Sequence, residues 1–319
     1  MNAATETSES FVAPTTAARP VRPFYWSVMR ELWENRSLTV APLIPGALAL
    51  LAIVWVAIAN WGEIRALAQV PAQMLGQGVT IGFGAIAYAI SIIMHVAVFF
   101  YLLDALQGER KDRSVLFWKS MPVSDTTTVL SKIFTALFVS GAIVVAVAVV
   151  TILTLLVVAS LIALIAGVNP LPAWGGAQLV QTTVAIIYWQ FAIALWYAPV
   201  AGWLLLVSAW AKRVTILWAV FIPVAVAVFE RVAMRTHYVQ DAINSRLNDP
   251  VLMALAPRAK GAQLIVDGDG INAHGVPHRV LDLLDPVGFF SNPWLWVGLI
   301  VAAGFVAASI WMRRYREPL

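Results

Sequence analysis

The chain has 319 residues, 61% of them apolar and only 12% charged, with no cysteine and a formal net charge of +4. Soluble domains carry about 25% charge, so this composition excludes an ordinary water-soluble fold, and the missing cysteine excludes disulfides and thiolate chemistry. Several uncharged runs exceed the ~20 residues that cross a bilayer core and show no period-2 alternation, which predicts helices that satisfy their own backbone in lipid.

Residues 1–23 are rich in Ala, Thr, Ser and Glu and have no apolar centre, which reads as a disordered cytoplasmic tail rather than a cleavable signal. In residues 24–37, Tyr25, Val28, Met29, Leu32 and Trp33 share one helical face, while Ser27, Arg30, Glu31 and Glu34 share the other. That pattern predicts an amphipathic helix lying in the inner headgroup layer. A helix packed on another part of the same chain would show the same pattern. Pro42 and Pro45 limit where the first span starts.

Six transmembrane helices are predicted at about 39–59, 79–103, 133–160, 182–210, 214–229 and 293–312. The fold class is therefore an all-α polytopic membrane protein. Residues 38–229 hold the first five spans with a charged hinge at 104–132, residues 230–292 form an extracytoplasmic region, and residues 293–319 hold the sixth span and a basic tail. Of the 21 Lys and Arg, 14 fall before the first span, in the hinge, at Lys212-Arg213 or in the tail. By the positive-inside rule, both termini and the hinge are cytoplasmic. The setting expected is a bacterial-type inner membrane, and the basic balance is explained without nucleic acid as a partner.

Polar groups inside the spans are few. His95 is the only ionisable residue deep in an uncharged run, so it is either a functional group or a structural hydrogen-bonding one. Gly78 and Gly82 match the small-residue helix-packing spacing, with Gly84 close by. Pro199 and Pro223 should kink the fourth and fifth spans. The aromatics Tyr188, Trp189, Trp196 and Tyr197 suit a hydrophobic path, an interfacial belt or plain packing alike. The third run, Ile133 to Ala166, is too long for a simple crossing, so its far end and the neutral loop after it are expected to bend back toward the bilayer.

The 230–292 region contains His237, His274, His278, Asp267, Asp269, Asp282 and Asp285. His274 and His278 have zinc-like spacing, but Gly275 and Pro277 oppose a helix and no Glu follows His274. Aligning Gly270 with the obligatory glycine of a calcium loop puts Ile265 and Val276 at ligand positions, so Asp267 to Gly270 reads as a turn. Asn292 and Pro293 suit a cap and first turn for the last span. There is no phosphate-binding Lys motif, no nucleophile elbow and no metal motif, so the sequence offers no catalytic, cofactor or metal residues.

The hinge itself, Asp104 to Lys132, holds five Lys/Arg and four Asp/Glu between two uncharged runs. Glu109-Arg110 follows the second span, and Val115 to Trp118 is a short apolar stretch. Pro122-Val123-Ser124 comes next, and Lys132 opens the third span. This pattern resembles the membrane subunits of type-2 ATP-binding-cassette (ABC) exporters, over about 30 residues as motif and nearly the whole chain as architecture. The long 230–292 region departs from that family. The resemblance implies a permease subunit without its own ATP site, paired with a second permease as homodimer or heterodimer. ATP and magnesium would be bound by a separate ATPase subunit. It also implies that Glu109, Arg110, Arg113, Phe117, Trp118, Lys119, Pro122 and Lys132 couple to that ATPase. Physically, Phe117 and Trp118 suit a pocket, and the charges suit docking register. Three alternatives stay open: an ABC-type permease doing mechanical or extraction work on a membrane partner, a membrane-embedded enzyme, and a sensor using residues 230–292.

Overall fold

The computed structural model describes residues 22–111, 124–248, 263–267, 270–274 and 280–315. Six of its helices are long and apolar enough to cross a membrane: Ser37–Ala59, Ala72–Lys111, Asp125–Ile165, Leu179–Trp210, Thr215–Met234 and Pro293–Tyr315, here spans 1 to 6. Each overlaps one predicted segment. A short helix, Pro23–Glu34, precedes them.

Local sequence explains the ends of these helices. Span 1 begins as Ser37–Val40 and continues as Leu43–Ala59, with Pro42 and Pro45 at the break, where a missing N–H costs little. Span 3 starts at an Ser124 cap whose Oγ accepts from the Thr127 N–H at 3.1 Å. It then passes through a π-helical turn at Thr135–Val139. Span 6 begins at Pro293, and the Trp294 N–H donates to Asn292 Oδ1 at 3.0 Å, as the sequence predicts. Pro223 deprives the Ala219 carbonyl of its helical donor. Trp203 of span 4 supplies a substitute, its Nε1–H donating to that carbonyl at 3.0 Å.

Span 4 is the centre of the bundle, with 61% of its most apolar stretch buried, followed by span 2 with 44%. Ile90, Met94 and Leu102 of span 2, Val144 and Ala148 of span 3, and Leu205 of span 4 form the core. Spans 1 and 5 are peripheral, with only 11% buried. They expose Leu51, Trp55 and Ile58, and Phe221, Val228 and Phe229. Contiguous apolar surface on that scale is unfavourable in water and natural in hydrocarbon.

Gly78, Gly82 and Gly84, the predicted packing glycines, meet no neighbouring atom among the described residues. The close approach is instead between Gly76 of span 2 and Gly176, where a Cβ on Gly76 would overlap the Gly176 backbone. Gly176 ends a short helix, Leu171–Gly176, in the neutral loop after span 3. That loop does fold back, onto protein: Trp174 Nε1 donates to Ser160 Oγ at 2.8 Å, and the Gln178 N–H donates to Thr80 Oγ1 at 3.2 Å. One of its backbone N–H groups is satisfied in this way.

In the last turn of span 5 the Glu230 carboxylate accepts the Tyr238 and Val239 N–H groups at 2.8 and 2.7 Å, capping helix Tyr238–Asn248. One departure from an all-α fold follows, an antiparallel ribbon of Gln263–Asp267 with Gly270–His274, in which Asp267 pairs with Gly270. Ile265, Val266 and Ile271 favour strands. Residues 268–269, the centre of the expected turn, and His278 lie outside the described residues. Asp285 caps a short helix, Pro286–Phe290, by accepting the Gly288 N–H at 2.8 Å.

Candidate functional site

The largest concentration of charge among the described residues sits at one end of the bundle, where four segments meet. Lys132, from the first turns of span 3, places its Nζ 2.9 Å from both carboxylate oxygens of Glu31 and 3.0 Å from Glu109 Oε1. Arg313, near the end of span 6, pairs with the other oxygen of Glu109 through Nη1 and with Asp125 Oδ1 through Nε at 2.9 Å. Arg30 lies 2.7 Å from Glu31 and 3.6 Å from Glu109. Tyr101 of span 2 donates its hydroxyl to Glu31 Oε2 at 2.9 Å.

These groups are withdrawn from solvent: side-chain exposure is 0% at Glu31, 3% at Lys132, 8% at Arg313 and 10% at Glu109. Isolated charges there would be costly, but three cations (Arg30, Lys132, Arg313) face the carboxylates of Glu31, Glu109 and Asp125, with the more exposed Glu34 also paired to Arg30. Burial alone would lower the Arg30 pKa, yet Glu31, Glu34 and Glu109 hold it above its usual range. For Glu34, burial raises the carboxyl above its ordinary range against the pull of Arg30.

A second set of bonds fastens the start of the hinge to the connection between spans 4 and 5. Ser208 Oγ accepts the N–H groups of Leu106 and Gln107 at 2.9 and 3.1 Å. Arg110 Nη2 donates to the carbonyls of Ser208 and Ala211, the latter at 2.8 Å. Thr215 bonds the Gln107 side chain. Between them, Val214 has φ of 49°. A β-branched residue in the left-handed region costs about 1–2 kcal/mol, so the surrounding contacts hold the turn in that shape.

Of the residues expected to couple to an ATPase, Glu109, Arg110 and Lys132 fall within this end. Arg113, Phe117, Trp118, Lys119 and Pro122 lie outside the described residues. Glu31 departs from expectation. The helix Pro23–Glu34 turns Ser27 and Glu31 inward against protein and leaves Tyr25 and Trp33 exposed, so Glu31 does not line a water-facing edge. The physical reason is Lys132, a buried ammonium whose nearest carboxylate in sequence, Asp125, is taken by Arg313. That unmatched lysine at the head of an uncharged run was the one sequence signal for a distant partner. Arg313 gives no such signal, since in the sequence it is one of three arginines in a basic tail.

The intramembrane histidine and the aromatic side chains of span 4 each have neighbours in the bundle. His95 donates Nδ1–H to the Ser91 carbonyl of its own helix at 2.6 Å, and the Ser91 hydroxyl bonds across to span 4, accepting from Gln190 Nε2 at 3.1 Å. Trp196 and Phe289 are buried together, whereas Trp189 lies beside Tyr88 and Tyr197 beside His95. Among the described residues, no three His, Asp or Glu side chains are grouped to hold a metal ion. Comparison of this chain with protein-family models, curated proteins and solved structures found no match.

Proposed function

We propose that this chain is the membrane-spanning permease subunit of an ABC exporter, in which a separate ATPase subunit binds ATP and magnesium and acts on the hinge at residues 104–132. The observation that carries the reading is the mechanical connection of that hinge. Its first residues are bonded to the connection between spans 4 and 5. Its Glu109 is ion-paired to Lys132 of span 3 and Arg313 of span 6, and through Lys132 reaches Glu31 of the N-terminal helix. A displacement of the hinge therefore moves these elements together, which a loop serving only to set topology does not require.

In this reading the charged end is cytoplasmic, in keeping with the Lys/Arg bias, and both termini lie on that side of an inner membrane. The N-terminal helix lies in the headgroup layer with Tyr25 and Trp33 toward lipid. Two permease chains, identical or different, form the pathway between them. Phe117 and Trp118 anchor the ATPase, and Arg113 and Lys119 set its register.

Co-purification tests this directly. The parent chain should retain an ABC ATPase and show ATP hydrolysis. The double variant Phe117→Ala, Trp118→Ala should keep its place in the membrane while losing about 2 kcal/mol or more of ATPase affinity. Equal retention of the ATPase by this variant would refute the coupling assignment. Labelling of a cysteine at Ser114 from outside intact cells, with one at Asn272 protected, would invert the orientation.

A further inference from the structure

We propose that Arg246, held in place by Trp196 and Trp294, binds a phosphate group supplied by a phospholipid headgroup at the end of the bundle opposite the charged network. Helix Tyr238–Asn248 carries Arg246 to the gap between spans 4 and 6. There the guanidinium lies 4.0 Å from the centre of the Trp196 ring. Its Nη1 donates to the Trp196 carbonyl at 2.8 Å, and Nη2 donates to the Trp294 carbonyl. Gly298 makes this position possible, because a Cβ there would overlap the guanidinium.

Unlike Arg30 and Arg313, Arg246 has no carboxylate within ion-pair distance among the described residues. Burial draws its pKa below the usual range with no neighbouring anion to offset it. Two carbonyls occupy two of the five N–H donors that a guanidinium carries. The remaining donors and the full positive charge favour an oxyanion, and a phosphate matches the fork geometry.

Position in the membrane indicates the source of that phosphate. Trp294 and Arg313 bound nearly all of span 6, and at the helical rise about 28 Å of helix separates them. A bilayer core is ~30 Å thick, so a charged network at one edge puts Arg246 at the other, among headgroups. Trp294 and Trp296 are exposed beside it, as aromatic residues at a headgroup boundary are. The inference needs the six spans to lie in a bilayer and does not depend on any ATPase partner.

The test uses the full chain, purified in detergent and stripped of lipid. Hydrogen exchange across residues 238–248 is followed with dioleoyl phosphatidylglycerol, with dioleoylglycerol (the same chains without phosphate) and with inorganic phosphate. Phosphatidylglycerol should protect the segment and dioleoylglycerol should not. Equal protection by dioleoylglycerol, or none by phosphatidylglycerol, would overturn the proposal. Protection by inorganic phosphate alone would overturn the lipid source. In variants, Arg246→Met should raise the half-saturating phosphatidylglycerol concentration about tenfold, the scale of one charged hydrogen bond, and Arg246→Lys less. An unchanged value in folded Arg246→Met would also refute the site. Gly298→Ala, which displaces the guanidinium and keeps its charge, should weaken lipid binding in the same direction.

Discussion

The two ends of this bundle handle their cations in opposite ways. At one end Lys132, Arg313 and Arg30 are matched to Glu31, Glu109 and Asp125. At the other, Arg246 rests on two carbonyls and a tryptophan ring. A closed network makes several segments move as one, because separating any pair strands a charge in a low-dielectric place. An arginine satisfied by carbonyls holds two helices together but keeps its charge uncompensated. The first arrangement suits transmission of force, and the second suits recognition of an anion.

The contrast breaks most visibly at Lys132. Lys132→Met removes one of the two cations shared by Glu31 and Glu109, the other being Arg30, and should cost about 3 kcal/mol, read as a lowered midpoint of thermal unfolding in detergent. Adding Glu31→Gln should recover part of that loss, because the stranded charge is removed with its partner. Additive losses in the two single variants and the double would show that the pair is not coupled.

Backbone packing offers a test at the far end with an internal control. Gly76→Val forces a branched side chain into the Gly176 backbone and should destabilise by about 1–3 kcal/mol. Gly78→Val, two residues away with no neighbour to meet, should stay within about 0.5 kcal/mol. Similar losses at both positions would mean that Gly78 contacts another chain.

The smallest effect is expected at Val214. Val214→Gly removes the left-handed strain and should stabilise by about 1 kcal/mol. If the turn is held in that shape to fix the start of the hinge, the more stable variant should exchange the amides of Leu106 and Gln107 faster. Slower exchange there would show that the strain has no part in holding the hinge.

Much of the architecture was legible because the bilayer imposes a simple length rule. Six uncharged runs gave six long helices, Asn292 gave a cap, and Pro42 marked a break, whereas the start of span 3 at Asp125, capped by Ser124, was not foreseen. The candidate site was legible only in part. Glu109, Arg110 and Lys132 stood out as charges flanking apolar runs, but a pairing between residues 31 and 132 has no local signature. The N-terminal helix was ambiguous for a related reason. Its polar stripe has the pattern of a water-facing edge, and helical periodicity cannot tell water from a buried lysine. The glycines failed similarly: spacing favoured Gly78 and Gly82, whereas the partner surface selected Gly76.

By itself the sequence determined which segments are long and apolar enough to cross a membrane and where charge collects between them, because desolvation of side chains and backbone acts on each segment separately. Only the tertiary structure decided which charges meet. Ion pairing depends on distances of about 3 Å between groups far apart in the chain. Those distances are set by how span 4 packs against spans 2, 3 and 6, which no single segment encodes.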